Sequence, residues 1–415
     1  MNRYSLWALA RNALNYHQNW QAAWRSPPPR AGYDFVIIGG GGHGLATAYY
    51  LAKEHKAASI AVVEKGWLGG GNTGRNTTIV RSNYLLPPSA RLYDHAVSLW
   101  HNLSAELNFN VMFSPRGLLH LAHTISDMRE IARRGHSNYV NGVDAEMLTP
   151  QQVREMVPFI NLHGRYPVLG ALLQRRGGIA RHDAVAWGYA RAADSLGVDI
   201  IQNCEVSGFD IRDNKIASVR TSRGDIKVGK RVGAVPSAHC GVIAAMAGFR
   251  LPVETVPLQA FVSEPLAPVL DCVIMSNTVH AYISQSDKGE LVIGGGSDAF
   301  NSYAQRGSFD QIEHVAGPIV ELYPIFSRVN ILRQWAGIVD ITPDRSPILS
   351  ATPVSNLFMN CGWGTGGFKA TPGSGHAFAA TLAKGEANDL CAPFSLDRFI
   401  TGDLVDEAAA AAVAH

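Results

Sequence analysis

Cysteine is scarce in this sequence of 415 residues, and the few cysteines are scattered. There are five, none in a CxxC pair, at Cys204, Cys240, Cys272, Cys361 and Cys391. Their odd number and wide spacing argue against a disulfide framework and a zinc site, so we expect no metal centre. A reducing compartment, the cytoplasm, is the simplest location for such a chain.

Long apolar runs and an excess of one charge are also lacking. No apolar stretch approaches the ~20 residues that a membrane-spanning helix needs, and the stretch after Arg3 is broken at Arg11, too early for the core of a signal peptide. The formal net charge is +2, and no block of five basic residues occurs. The sequence therefore lacks the concentration of basic residues that is typical of nucleic-acid-binding proteins. We therefore expect neither nucleic acid nor a membrane as a partner.

The chain has a globular composition with an unusual beginning and end. Apolar residues make up 47% of it, and the length predicts two or three units. Residues 1–30 are predicted as an arm, helical from Leu6 to Trp20 and then stopped by the prolines of RSPPPR. Its three tryptophans should be covered, either by the arm's own domain or by another subunit. Residues 396–415 are predicted as a C-terminal tail that frays at its alanine-rich end.

The clearest motif is a glycine turn, GGGGHG, between the buried strand YDFVIIG and a helix pattern. Gly39 permits the tight turn, Gly41 lets a pyrophosphate reach bare backbone, and Gly44 lets helix and strand pack closely. The pyrophosphate then faces a helix N-terminus, which favours an anion. Glu64, 20 residues after Gly44, ends the next strand, where its carboxylate can accept hydrogen bonds from ribose hydroxyls. This context predicts dinucleotide binding, and the acid fits NAD and FAD alike.

Two further glycine-rich stretches favour a flavin. The polar loop LGGGNTGRNTTIVRSNY, at 68–84, offers many backbone donors along which a flavin ring can lie. Near the end, GWGTGGFK at 362–369 precedes a helix that we expect to begin near Thr371 and Pro372, a good N-cap and a good first residue. That helix N-terminus, or Lys369, would stabilise the negative charge that a flavin gains with a hydride.

Together, RNTTIVRSNYL, GGIARHDAVAWG and GWGTGGFKATPGSG resemble the D-amino-acid-oxidase-type flavoproteins, in particular the amine oxidases acting on N-methyl amino acids. The resemblance is closest to the β-subunit family of heterotetrameric sarcosine oxidases and covers nearly the whole chain. It implies an α/β fold, α+β overall, with a Rossmann-like FAD-binding domain and a substrate domain containing a large mixed or antiparallel sheet. We place the FAD-binding domain in residues 31–90, 165–250 and 331–395, and the substrate domain in 91–164 and 251–330.

The resemblance also implies which residues hold a non-covalent FAD. The pyrophosphate lies over the first glycine turn, with the ribose on Glu64 and the adenine near Val206. The flavin ring lies along Asn72 and Thr73, with its pyrimidine end at the late glycine loop. The cofactor-binding residues predicted in this way are Gly39, Gly41, Gly42, His43, Gly44, Glu64, Lys65, Asn72, Thr73, Arg75, Val206, Gly364, Gly367 and Lys369.

For the substrate, the resemblance implies sarcosine. Arg81 would grip its carboxylate bidentately, Lys369 would add a second charge-assisted contact, and Tyr84 would line the site. Hydride would pass from the N-methyl carbon to flavin N5, and water would split the iminium into glycine and formaldehyde. A neutral amine needs no strong base, so no catalytic triad is required. Arg81 as a surface arginine, and Lys369 as a partner of the flavin carbonyl alone, stay open as alternatives.

The stretch RRGGIARHDAV gathers three arginines beside one histidine. The arginines could hold a phosphate and a neutral imidazole is a nucleophile, although a histidine before a helix is usually structural and Asp183 could cap that helix. In the resembled β subunits the matching histidine carries FMN covalently. We therefore hypothesise that His182 carries FMN near an interface with another chain, and that electrons pass from FAD to FMN and then to oxygen, giving hydrogen peroxide.

The resemblance further implies partners that a single chain cannot show. They are a larger α subunit with NAD, two small subunits, and tetrahydrofolate as an acceptor of the formaldehyde. Two other functions stay open. One is a dehydrogenase of another secondary amine, such as dimethylglycine or proline, and the other is a non-catalytic scaffold that carries flavin for its partners.

Overall fold

The computed structural model describes residues 5–18, 22–298 and 300–406. The helices in these ranges are α1 (Leu6–Leu14), α2 (Gly42–Lys53), α3 (Pro87–Glu106), α4 (Ile125–Val140), α5 (Pro150–Met156), α6 (His182–Ser195), α7 (Cys240–Met246), α8 (Phe309–Leu322), α9 (Gly367–Lys384) and α10 (Arg398–Thr401). Short 3₁₀ helices lie at Asn72–Arg75, Ser237–His239, Pro324–Phe326 and Ala392–Phe394.

The strands in the same ranges form two eight-stranded sheets and one small two-stranded sheet. They are β1 (Gly32–Ile38), β2 (Ile60–Val63), β3 (Ile79–Val80), β4 (Leu118–Ala122), β5 (Glu146–Leu148), β6 (Gly170–Gln174), β7 (Gly178–Ile179), β8 (Asp199–Ile201), β9 (Val206–Arg212), β10 (Lys215–Thr221), β11 (Ile226–Ala234), β12 (Glu254–Pro265), β13 (Val273–Ser276), β14 (Ala281–Gln285), β15 (Glu290–Ser297), β16 (Ile331–Ile341), β17 (Ile348–Ala351) and β18 (Leu357–Cys361).

The first sheet has the order β17-β18-β11-β1-β2-β8, with β9 and β10 attached through β11. β1 is parallel to both β2 and β11, and β11 is parallel to β18, as expected of a doubly wound sheet. Phe35 and Ile37 face a core shared with α2, α3, α6 and α9, whereas Val36 and Ile38 face a second core on the other side. Burial of both faces explains why the sequence of β1 is almost continuously apolar.

The second sheet has the order β16-β12-β15-β14-β13-β4-β6-β5 and is mixed, because β13 and β4 are parallel and its other pairs are antiparallel. One face packs on α5 and α8. A smaller apolar cluster on this sheet joins Met275 and Tyr282 to Ile79 and Ile179 of the two-stranded sheet. The predicted fold class, a Rossmann-like domain plus a large mixed sheet, is confirmed.

Some segments lie elsewhere than the predicted boundaries put them. β6 and β16, which we assigned to the FAD-binding domain, pair in the second sheet. α3, which we assigned mainly to the substrate domain, packs on the helices of the first sheet through residues such as Trp100. Sequence pattern alone does not reveal which sheet an element joins. The domain boundaries stay a prediction, and these contacts would move them to about residues 110, 175 and 342.

The two ends of the chain differ from the arm and tail that we predicted. Within the described part of the arm, α1 buries no residue, whereas Trp24 packs against the core and Arg25 Nε lies 2.7 Å from Asp194 Oδ1. Trp20 lies outside the described residues. Residues 396–405 belong to the packed structure, because the Arg398 guanidinium and the Asp344 carboxylate form a buried ion pair there. Only residues after 406 of the predicted tail lie outside the described range.

Three findings on the described residues concern membrane helices, metal sites and disulfides. No helix there is long and apolar enough to cross a membrane. No cluster of three or more histidine, cysteine, aspartate or glutamate side chains there could hold a metal ion. All five cysteines are buried and free.

Candidate active site

A cavity of about 590 Å³ runs along the carboxyl ends of β1, β2, β11 and β18 and is faced by β12 and β16 of the second sheet. Its size is within the usual range for small-molecule sites, roughly 300–1,000 Å³. The carboxyl edge of a doubly wound sheet is where nucleotides bind. The geometry of the cavity walls therefore decides which predicted residues meet a ligand.

The first glycine turn has the shape that a pyrophosphate needs. Gly39 has a φ of +114°, and a Cβ on Gly44 would lie 2.0 Å from Gly39 O, so neither position accepts another residue without strain. Gly41 is the N-cap of α2 with no side-chain hydrogen bond, and a Cβ there would meet only Thr73 Oγ1, at 3.1 Å. Gly42 N donates to that same Thr73 hydroxyl (3.0 Å). Bare backbone at a helix N-terminus fits an anion.

Glu64 lies beside the turn with its carboxylate fixed. Its Oε2 accepts from Gly40 N (2.7 Å) and its Oε1 from Gly66 N (2.8 Å), and each oxygen keeps a lone pair for a ribose hydroxyl. Val206, the first residue of β9, is buried in the cavity wall. Lys65 also lines the cavity, but it is exposed, and its Nζ lies 3.5 Å from a carboxylate oxygen of Glu205.

Residues 72–75 connect the two sheets. Asn72 Oδ1 accepts from Ile338 N (2.9 Å) of β16, and Asn72 Nδ2 donates to Ser237 Oγ (2.9 Å). Trp335 Nε1 donates to Arg75 O (2.7 Å). Asn72, Thr73 and Arg75 all line the cavity. The Asn72 amide and the Arg75 carbonyl fix this loop against β16, and its contact with a flavin stays a prediction.

His43 lines the cavity, but both of its ring nitrogens are hydrogen-bonded to other residues of the protein. Its Nε2 is 2.8 Å from Gly367 O, and its Nδ1 is hydrogen-bonded to Ser374 Oγ. Burial lowers the pKa of His43 to about 4, so the ring is neutral at pH 7. A neutral ring with one N–H fits this arrangement, in which Nε2 donates and Nδ1 accepts. His43 therefore ties α2 to α9, and any contact with a cofactor stays a prediction.

The late glycine loop enters its helix earlier than predicted. α9 begins at Gly367, four residues before Thr371, and Pro372 lies inside the helix, so the prediction of a start near Thr371 was wrong. Gly364 has a φ of +50°, which lets the chain turn sharply before the helix. The predicted residues Gly364, Gly367 and Lys369 all line the cavity.

The cause of the early start is tertiary. Tyr93 Oη donates to Gly366 O (3.2 Å), and Trp100 Nε1 donates to Lys369 O (2.8 Å). Both donors come from α3, so they fix the N-cap and the first turn of α9 from outside its own sequence. Local capping preference, which favours threonine over glycine only modestly, is overruled by these contacts.

Arg81 and Lys369 meet at one wall of the cavity, and both are buried. Burial, together with the charge of Arg81 beside it, lowers the pKa of Lys369 well below its usual range. Lys369 Nζ donates to Thr365 O (2.8 Å), and Arg81 Nη1 donates to Asn83 Oδ1 (2.8 Å). Two buried basic groups facing one space favour an anionic ligand, because an anion would offset their repulsion.

Tyr84 is not among the residues that line the cavity. The Tyr84 ring stacks on the Tyr93 ring with 3.8 Å between their centroids. The guanidinium carbon of Arg81 lies 4.4 Å from the centroid of the Tyr84 ring. The structure thus gives Tyr84 a place behind Arg81, where it holds the guanidinium through a cation–π contact.

Among the polar residues of the cavity wall that sequence reasoning missed are Asp340 and Asn360. Asp340 Oδ2 accepts from Gly362 N (2.6 Å), and Asp340 O accepts from Gly364 N (2.8 Å). Burial raises the pKa of Asp340 to about 6, although these N–H donors oppose the rise. The available signal was an acid within the apolar run IVDI, because a carboxylate is rarely buried without partners.

None of the residues in the segment around His182 line this cavity, although Ala180 N donates to the carbonyl of Thr78 in its wall (3.0 Å). Each arginine that we assigned to a phosphate has a carboxylate partner within 3.0 Å: Glu146 for Arg175, Asp94 for Arg176 and Asp183 for Arg181. The structure therefore does not support a phosphate cradle made by these three side chains.

Asp183 is also not the helix cap that we considered, because α6 begins at His182 and its N-cap is Arg181. His182 Nδ1 accepts from Asp183 N (2.7 Å). Burial lowers the pKa of His182, although Asp183 opposes this, so the imidazole is neutral at pH 7. A neutral, partly buried imidazole is chemically able to act as a nucleophile.

The fold and the cavity together define a dinucleotide-binding protein with a second sheet over its nucleotide edge. The family model "FAD dependent oxidoreductase" matches residues 34–381. Sarcosine oxidase subunit beta of Rhodobacter capsulatus is 57% identical over 416 aligned residues, which cover 100% of both chains. The protein of the same name from Arthrobacter sp. is 57% identical over 94% of this chain and 97% of its own.

Among solved structures, L-proline dehydrogenase from P. horikoshii superposes with a TM-score of 0.85 at 27% identity, covering 91% of this chain and 100% of its own. The chain therefore belongs to the FAD dependent oxidoreductase family and, within it, to the group of sarcosine oxidase β subunits. It is a flavin-dependent amine oxidase with FAD as its cofactor, as predicted. The glycine turn, Glu64 and the cavity above them fit that cofactor.

Proposed function

We propose that the chain catalyses oxidative demethylation of sarcosine to glycine and formaldehyde, with electrons passing finally to oxygen. The observation that carries this proposal is the 57% identity, over the complete length of both chains, to a protein named sarcosine oxidase subunit beta. Bound FAD supplies the hydride acceptor.

Arg81 and Lys369 bind the substrate carboxylate in this proposal. An anion between the two groups raises the pKa of Lys369 again, because its charge offsets burial and the repulsion of Arg81. Arg81 is held by Asn83 and by the ring of Tyr84, so its guanidinium is oriented before substrate arrives. The amine reacts in its neutral form, which is why this wall needs no general base.

We also propose that His182 carries FMN covalently. The neutral imidazole supports this assignment, whereas the paired arginines do not supply the phosphate site that we first assigned to them. Acid precipitation and mass spectrometry of a tryptic digest test the proposal independently of activity. A His182 peptide with the added mass of FMN supports it, and an unmodified peptide from freshly purified yellow protein contradicts it.

The proposed assembly has a larger α subunit with NAD, two small subunits and tetrahydrofolate as an acceptor of formaldehyde, in the cytoplasm. The word "subunit" in the names of the relatives supports a multi-subunit enzyme, and the composition of the assembly rests on the family resemblance alone. The exposed helix α1, in which Trp7 is 84% accessible, is consistent with an arm that another chain covers. Co-purification of the tagged chain from its source, with and without residues 1–22, tests this.

The decisive test of the reaction is anaerobic addition of sarcosine to the purified holoprotein. Loss of FAD absorbance, followed by peroxide formation when air is admitted, supports an oxidase. Bleaching without peroxide favours the alternative of a dehydrogenase. The similarity to the structure of an L-proline dehydrogenase is the reason for retaining this alternative. No bleaching by sarcosine, dimethylglycine or proline would leave the third alternative, a scaffold that carries flavin.

A further inference from the structure

Asn360 lies on the opposite side of the first glycine turn from Glu64. The register pairs Ile38 with Val63 on one side and with Ala234 on the other, and Ala234 in turn with Met359. The residues one step further, Glu64, Gly39 and Asn360, are therefore level along the carboxyl edge of the sheet. Neighbouring strands are about 4.8 Å apart, so Glu64 is one strand from Gly39 and Asn360 is two strands away in the other direction.

The order of the strands assigns the two ends of the cavity to different halves of FAD. FAD is an adenosine and a flavin joined through a pyrophosphate, and the pyrophosphate belongs over the glycine turn. Glu64 directly follows β2, and Val206 comes two residues after Cys204, whose N donates to Glu64 O (2.8 Å). Both residues are therefore on the β2 side of the glycine turn, which is the adenosine side. Asn360 is on the side of β18, so it faces the flavin half of the dinucleotide.

The amide of Asn360 has a fixed orientation. Its Oδ1 accepts from Trp363 Nε1 (2.7 Å), and an indole N–H can only donate, so the oxygen must be the atom that faces Trp363. Trp363 itself packs on His43, with 4.8 Å between ring centroids, and His43 is bonded to α9. The amide therefore cannot turn over without breaking these contacts.

The other amide atom, Asn360 Nδ2, has no hydrogen-bond partner among the described residues, although the side chain is fully buried and lines the cavity. A buried donor without an acceptor is costly for a protein to keep. An acceptor that arrives with a ligand removes that cost. We propose that Asn360 Nδ2 donates a hydrogen bond to an acceptor atom in the flavin half of FAD.

The test is the affinity of the flavin-depleted full chain for FAD, measured by fluorescence titration, together with the absorption spectrum of the bound flavin. Asn360→Asp keeps the acceptor for Trp363 but replaces the free donor with a carboxylate oxygen. Asn360→Ala removes the donor without adding charge. We expect FAD affinity to fall about tenfold to a hundredfold in both variants, and the flavin spectrum to shift where binding persists.

Asn356→Asp is the matched control. Asn356 is also buried and stands at the amino end of the same strand, where its amide bonds both the N and the O of Ile216. This variant should lower thermal stability but leave the FAD affinity of the folded protein unchanged. Wild-type FAD affinity and spectrum in folded Asn360→Asp or Asn360→Ala would overturn the proposal. So would an effect confined to KM for the amine, which would assign the donor to the substrate.

Discussion

The two glycine loops of the cavity are built alike but held differently. Each follows a parallel strand of the first sheet, β1 or β18, and each leads into a long helix, α2 or α9. The glycine spacing of the first loop is set by its own strand and helix, because a Cβ on Gly44 would meet Gly39 O at 2.0 Å, and Glu64 and Thr73 add hydrogen bonds to Gly40 N and Gly42 N. The second is held from outside by Asp340 of the second sheet and Tyr93 of α3.

This difference explains why one loop could be located accurately and the other could not. Steric demands within one strand–turn–helix unit leave a spacing of glycines that is visible in the sequence. Hydrogen bonds from distant elements leave no such spacing, since a tyrosine in α3 or an acid in β16 can serve many other purposes. Substitutions in the first loop, and in the residues that hold the second, test this difference.

Gly44→Ala should have the largest effect. The added methyl group would overlap Gly39 O, so helix and strand must separate, and we expect a loss of about 3 kcal/mol of unfolding free energy together with failure to retain FAD. Denaturant unfolding and the flavin-to-protein ratio measure both. Gly241→Ala, where nothing lies within 4 Å of the added atom, is the control. Stoichiometric FAD in stable Gly44→Ala would refute the steric account.

Asp340→Asn should change the pH dependence of stability. The pKa of Asp340 in the folded protein is about 6, above the ordinary value near 3.8. Asp340 therefore ionises at lower pH in the unfolded chain than in the folded protein. As a result, the wild type loses stability as the pH rises from about 4 to 6. At ~1.4 kcal/mol per unit, this amounts to ~3 kcal/mol at most. The variant should lack this component when unfolding is measured from pH 4 to 7. Parallel curves for the two proteins would show that Asp340 does not titrate there.

Tyr93→Phe should have the smallest effect of the three. It removes the hydroxyl that donates to Gly366 O (3.2 Å) but keeps the ring that stacks on Tyr84. We expect a loss of about 0.5–1.5 kcal/mol in unfolding free energy and a few-fold weaker binding of FAD. Tyr139→Phe, at an exposed tyrosine, should change neither quantity. Equal behaviour of the two variants would mean that the contact from α3 does not hold the late loop.

The candidate site was predictable where residues act through their own neighbours. Gly39, Gly41, Gly44 and Glu64 lie where the turn motif placed them, because the close approach of Gly44 to Gly39 O and the hydrogen bond from Gly40 N to Glu64 arise within one short strand–turn–helix–strand unit. The start of α9 and the role of Tyr84 were not predictable in this way. The arginines near His182 were assigned to a phosphate because sequence shows their charge but not their partners, which come from α3 and β5 in two of three cases.

The class of fold, the glycine turn at the nucleotide edge and the two basic residues of the cavity wall, Arg81 and Lys369, could be predicted from the sequence alone, since they follow from local sterics and from motifs shared with a family. Only the tertiary structure decided which sheet β6 and β16 join, where α9 begins, and that Asp340 and Asn360 reach the cavity. The physical reason is that such placements depend on burial and on hydrogen bonds between elements far apart in the chain, whose energies no single stretch of sequence contains.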